Sequence, residues 1–106
     1  MQALQVATTT ANKSDAERIA RVLVERRLAA CVQISGPITS TYRWQDTIET
    51  ASEWLCTIKT TEGNYHRVES TIRELHTYDE PEIIAVPIVA GSPTYLAWLQ
   101  DQVNHQ

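Results

Sequence analysis

A chain of 106 residues is long enough for one domain with a modest core, and lies in the size range where oligomerisation adds stability. A net charge of -4 and a pI near 5.2, with nine Lys and Arg scattered rather than striped, supply no basic field for nucleic acid. No apolar run approaches the ~20 residues of a membrane span, and no charged leader followed by an apolar stretch opens the chain, so residues 1–106 read as a single cytoplasmic domain without a membrane partner.

Residues 2–9 alternate moderately, with Leu4 and Val6 followed by three threonines, and predict a first strand. Ser14-Asp15-Ala16-Glu17 fits a capping box, in which the hydroxyl and the carboxylate each satisfy an orphaned helix N–H. A helix is expected to start there. Ala16, Ile19, Ala20, Leu23 and Val24 share one face, Glu17, Arg18, Arg21 and Glu25 face water, and Arg26 and Arg27 are expected in the last turn, where cations suit the dipole.

Residues 28–61 organise the chain. Both arms are rich in Thr, Ile, Val, Tyr and Trp, which fit a pleated surface, and the only short turn signal is Gln45-Asp46, so one long β-hairpin is predicted. At about 3.3 Å per residue an arm of roughly 17 residues runs about 55 Å, against a diameter near ~33 Å for a compact chain of this length. The hairpin must bend or stick out. Ser35-Gly36-Pro37 supplies a bend or bulge, but the outer half still carries Ile38, Tyr42, Trp44, Ile48 and Trp54 with little chain left to cover them. The simplest cover is another copy, which also pairs exposed strand edges. With the turn at Gln45-Asp46, Cys31 faces the neighbourhood of Thr60 and Cys56 that of Ser35. That places them about four residues apart along the ladder, beyond the roughly 7 Å limit for a bridge, so two free thiols are expected.

Tyr65, Val68, Ile72 and Leu75 predict a second amphipathic helix over 62–76, with Thr61 as N-cap and Glu69 and Arg73 placed for an i,i+4 pair. It should end before Pro81. Residues 82–89 read as a short apolar strand buried on both faces, with Pro87 at an edge or strand end. Ser92 caps a final helix with Pro93 at its first position and Tyr95, Leu96, Leu99 and Val103 on one face; the last three residues are expected to be loose. The order β-α-β-β-α-β plus a helix predicts an α+β, ferredoxin-like sandwich with two helices on one face of one sheet.

No Gly-x-Ser-x-Gly elbow, Gly-x-Gly-x-x-Gly or P-loop occurs, and His66, His76 and His105 lie on helical or terminal segments without a designated nucleophile. The chain reads as non-enzymatic. No Cys-x-x-Cys or His-x-x-x-His pair offers a metal site, and His66 and His76 lie ~80° apart around a helix and nearly three turns distant along it. A single-chain site would recruit His76 with Asp79, Glu80 or Glu82, or Cys31 with a group from elsewhere. Cys31 is otherwise a small buried hydrophobe, and His76 a helix-end residue bonding the last carbonyls. Lys59, in an otherwise apolar strand, needs solvent, a salt bridge to a neighbour such as Glu82, or a ligand. Trp44, Trp54 and Trp98 are assigned to core or subunit interface before any ligand.

Arg27-Leu28-Ala29-Ala30-Cys31-Val32, Tyr42-Arg43-Trp44, Trp54-Leu55-Cys56-Thr57-Ile58-Lys59-Thr60, His76-Thr77-Tyr78-Asp79-Glu80-Pro81-Glu82-Ile83 and Tyr95-Leu96-Ala97-Trp98-Leu99 resemble, in order and spacing, the signatures of the CutA divalent-cation tolerance proteins. The resemblance implies a fold similar to that of PII signalling proteins, a homotrimer whose long hairpins lie across neighbouring subunits, and a role in tolerance of copper and other divalent cations. It implies no obligatory cofactor, with copper or another divalent cation as the bound ion. Cys31 and His76 stand at family positions that make them candidate copper contacts, and Lys59, Tyr78 and Glu82 are implied to line a cleft between subunits. Thr8 and Leu75 occupy positions that are Cys and His in some relatives. The other reading is a PII-like adaptor whose inter-subunit cleft binds a small anion or a partner protein.

Overall fold

Four strands and three helices build the molecule, and a computed structural model describes residues 1–105. The strands are β1 (Ala3–Thr10), β2 (Cys31–Trp44), β3 (Thr47–Thr61) and β4 (Ile84–Pro87); the helices are α1 (Lys13–Glu25), α2 (Tyr65–Leu75) and α3 (Pro93–Gln102). The sheet is antiparallel in the order β2-β3-β1-β4, which interleaves the two β-α-β halves as predicted. Val6, Cys56 and Ile58 on the sheet pack with Ala16, Ile19 and Leu23 of α1 and Val68 and Ile72 of α2, so both helices cover one face. The register leaves Gln5, Ala7, Thr9, Glu53, Leu55, Thr57, Lys59, Ile84 and Val86 on the opposite, open face.

The hairpin turns at Gln45 and Asp46, whose φ angles of 49° and 65° are the pair of positive values that a two-residue turn matched to strand twist requires. It projects, giving a molecule of 45 × 26 × 21 Å. In the isolated chain Tyr42, Trp44 and Ile48 are 44%, 55% and 65% exposed. The expected irregularity sits between Ser35 and Ile38, where Gly36 and Pro37 together stand opposite Trp54. This extra residue moves the inner ladder by one place: Cys31 pairs with Lys59 rather than Thr60, and Cys56 with Ile34 rather than Ser35. Both cysteines are free. A one-place slip exchanges faces, so Cys31 joins Lys59 on the open face instead of entering the core.

Several expectations are corrected. Asn12, not Ser14, caps α1: its side chain accepts the Asp15 N–H at 2.9 Å, and Ser14 donates to the same oxygen at 2.8 Å. The helix closes at Glu25, before Arg26 and Arg27, because Arg27 turns left-handed with φ 57°. Thr61 leads into a 3₁₀ turn over Glu62–Asn64 rather than capping α2 directly, and its hydroxyl accepts from Asn64 Nδ2 at 3.0 Å. β4 is shorter than 82–89 and is not buried on both faces. It pairs with β1 alone at the sheet edge, and Ile84 and Val86 on the open face are 55% and 51% exposed. The chain end is tied rather than loose at Asn104, whose backbone N–H donates to the Arg27 carbonyl at 2.9 Å and whose own carbonyl accepts from Asn64 at 2.9 Å; residue 106 lies outside the described residues.

Candidate functional site

A groove of about 600 Å³ opens where the outer hairpin meets the segment between α2 and β4. From Ile38 outward the register set by the Gln45-Asp46 turn puts the even-numbered residues of β2 on the open face, and Ser40, Tyr42 and Trp44 come to lie on the side of Glu53. The facing wall is Tyr78, Asp79, Glu80 and Glu82, held where the helix stops short of Pro81.

His76 fixes that wall. Its Nδ1 accepts the Tyr78 backbone N–H at 3.0 Å, which leaves the ring hydrogen on Nε2 to donate to the Thr9 carbonyl at 2.7 Å. The imidazole thus pins the segment to the end of β1, and both of its nitrogens are used. Tyr78 in turn donates its hydroxyl to Glu53 Oε2 at 2.8 Å. Burial, then the hydrogen bond to Glu53 and the charge of that carboxylate, push the Tyr78 phenol up to about 12. Glu53 itself is only 7% exposed.

Of the residues singled out from sequence, Tyr78, Asp79, Glu80, Glu82 and Trp44 line the groove and His76 supports it. Lys59 and Cys31 lie elsewhere. Lys59 Nζ donates to Gln33 Oε1 at 2.7 Å, and no ion pair with Glu82 forms. Lys59 is level with Gln5 on β1, whereas Glu82 precedes Ile84, which pairs with Ala7 towards the other end. Cys31 faces Lys59 across the ladder. Thr9, which holds His76, is four positions beyond Gln5 and two strands from Cys31, a separation on the order of 15 Å. The two candidate copper contacts therefore do not meet within one chain, and among the described residues no three His, Cys, Asp or Glu converge closely enough to hold a metal ion. Glu53 and Thr9 are not marked by the sequence, and Tyr42 is marked only as a hairpin side chain wanting cover. The available signal was the charge of Glu53 beside Trp54 in a hydrophobic arm, the same kind of signal that marked Lys59.

Compared with known proteins, residues 4–102 match the family model described as CutA1 divalent ion tolerance protein. The divalent-cation tolerance protein CutA of Thermus thermophilus is 42% identical over 99 residues, which is 93% of this chain and 96% of that protein. The solved structure of the T. thermophilus divalent cation tolerance protein superposes with a TM-score of 0.94 at 39% identity, covering 96% of this chain and 99% of that one. The crystal structure of CutA1 from Oryza sativa gives a TM-score of 0.97 at 35% identity, covering 100% of this chain and 97% of that one. Protein CutA of Mus musculus is 43% identical over 91 residues, 86% of this chain, and the chain spans about half of that relative, 51%.

Proposed function

The chain belongs to the CutA1 divalent ion tolerance family, and on that premise we propose that it is a non-enzymatic, cytoplasmic protein that binds divalent cations, copper among them, as a homotrimer. The observation that carries the reading is the hairpin, whose exposed Tyr42, Trp44 and Ile48 find no cover in their own chain. Sister chains seated across the hairpins would bury these side chains and the exposed Ile84 and Val86 of the edge strand. The same face presents the half-buried free thiol of Cys31, a soft donor suited to copper.

Within one chain the donor set does not make a chelate, since Cys31 stands far from His76 and the imidazole is committed at both nitrogens. Copper uptake therefore draws on donors from more than one copy, with Cys31 supplying thiolate. His76 can offer Nδ1 only by releasing the Tyr78 N–H. The test is a copper titration of the reduced protein alongside sedimentation. Stoichiometric uptake that is lost in Cys31→Ala, with a trimeric mass throughout, is the expected result. A folded monomer, or uptake unchanged in Cys31→Ala combined with His76→Ala, would remove it.

A further inference from the structure

The strap that carries the chain from α2 to β4 is fastened by side chains. Among the described residues, no backbone hydrogen bond of a turn or loop reaches residues 77–83. Where the strap begins, the His76 N–H donates to the Ile72 carbonyl at 2.8 Å, and Arg18 Nη2 donates to the Leu75 carbonyl at 2.6 Å. Towards its far end Pro81 is buried and Ile83 packs against the core. Between these anchors the Arg73–Glu80 ion pair, 3.8 Å long and exposed on both sides, contributes little. The short directional bonds that hold the strap are those of the His76 ring and of the Tyr78 hydroxyl.

The imidazole suits this task at both nitrogens. Accepting the backbone N–H two residues on is what Asn and Asp side chains do in turns, and His76 Nδ1 does it here with Tyr78. An Asn or Asp side chain ends at that atom, whereas the ring extends to Nε2, which donates to the Thr9 carbonyl on β1. The His76 and Tyr78 rings also lie 4.9 Å apart, centroid to centroid, so ring contact adds to the bond. One acceptor and one donor, used on two elements, exhaust the hydrogen-bonding capacity of a neutral imidazole. No lone pair of the ring is left for a cation, and among the described residues no three His, Cys, Asp or Glu gather to hold one. We infer that His76 is a positioning residue and not a metal ligand: its neutral imidazole fastens the 77–83 strap to the end of β1 and so delivers the Tyr78 hydroxyl to Glu53. These two bonds account for the residue type without a metal, a different role from the copper contact expected from sequence. Only the second measurement below rests on the proposed copper uptake; the first involves no metal.

The experiment is nuclear magnetic resonance of the full chain, first with a chelator that removes copper. The His76 nitrogen shifts should show a neutral ring protonated at Nε2, and the Tyr78 amide should be protected from hydrogen exchange. His76→Asn keeps the turn acceptor and should leave that exchange near the unmodified rate. His76→Gln reaches towards Thr9 but lacks the turn acceptor, and should speed the exchange about tenfold. Reduced copper, which is diamagnetic, is then added to the unmodified chain. The His76 nitrogen shifts and the Tyr78 exchange rate should stay as they were while the Cys31 signals move. The inference is overturned by an unprotected Tyr78 amide, by a ring bare at Nε2, or by equal exchange in the two variants. It is also overturned if copper shifts a His76 nitrogen or frees the Tyr78 amide. Should the chain take up no copper at all, the copper reading fails, and the ring shifts and exchange rates decide the role of His76 by themselves.

Discussion

Tyr78 donates its hydroxyl to Glu53 across 2.8 Å, joining residues 25 positions apart and tying the α2–β4 segment to the long hairpin. Hydrogen bonds to charged groups contribute about 1.5–3 kcal/mol, discounted here because the groove admits water. Tyr78→Phe should lower stability by about 1 kcal/mol, read as an earlier urea midpoint. Glu53→Gln, which retains an acceptor for the hydroxyl, should shift the midpoint less.

The same bond makes stability sensitive to alkali. The Tyr78 phenol is held up at about 12 against an ordinary 10.0, so the unfolded chain releases that proton first. Between these values the folded state binds more protons, and stability falls as pH rises. Its contribution is complete below pH ~10 and is lost through pH ~12. Burial also pushes the Cys56 thiol up, to about 11 from 9.0, which gives a loss of the same sign in an overlapping window. Unfolding followed from neutral pH into alkali should show a decline that is shallower in Tyr78→Phe and shallower again when Cys56→Ala is added.

Gly36 is fitted to Trp54. A Cβ there would sit 2.8 Å from Trp54 Cε3 and 3.1 Å from the Glu53 carbonyl, on backbone with φ +155° that side chains rarely adopt. Gly36→Ala should cost about 1–3 kcal/mol, through overpacking and a strained backbone together. Denaturation midpoints would show it, and Trp54 emission should shift as the ring is displaced.

Thr8 is fully buried and its hydroxyl has no partner. Thr8→Val replaces that hydroxyl by a methyl of similar shape and removes an unsatisfied polar atom worth about 1–3 kcal/mol. The variant should melt higher than the unmodified chain; an unchanged or lower melting temperature would show that the hydroxyl is satisfied in solution.

The exposed hairpin end gives a test of assembly. Trp44 and Ile48 are the most exposed large hydrophobic side chains of the two arms. Ile48→Lys places a charge where a covered interface would have to desolvate it. Sedimentation should show a smaller species than the unmodified chain at equal concentration, with the far-ultraviolet spectrum of the fold retained.

The elements were legible because each rests on local chemistry. The periodicity of Ala16, Ile19 and Leu23 and of Val68 and Ile72 places the two helix faces, Ser92 caps α3 as read, and Gln45-Asp46 is the turn. Asn12 displaced Ser14 as a cap because both residue types serve equally well in sequence, and only the path of the chain out of β1 selects between them. Pro87 marks β4 as the edge strand that it is, but burial on both faces does not hold, because an apolar run does not say which of its faces is covered. Within the site, Tyr78 and Glu82 were marked by their motif, whereas Glu53 was passed over in an arm read for its apolar side chains.

The pattern of apolar and turn residues along the chain was by itself enough to determine the order of strands and helices and the existence of a hairpin too long for its own globule. The tertiary structure alone decided which side chains share the groove. Two residues at the bulge stand opposite one on β3, and with the turn at Gln45-Asp46 that single extra place moves Cys31 to the open face while Tyr42 and Trp44 keep the face of Glu53. Side chains alternate with a period of two along a strand, so one added residue reverses every position beyond it, and its effect on pairing appears only when the partner strand is in place.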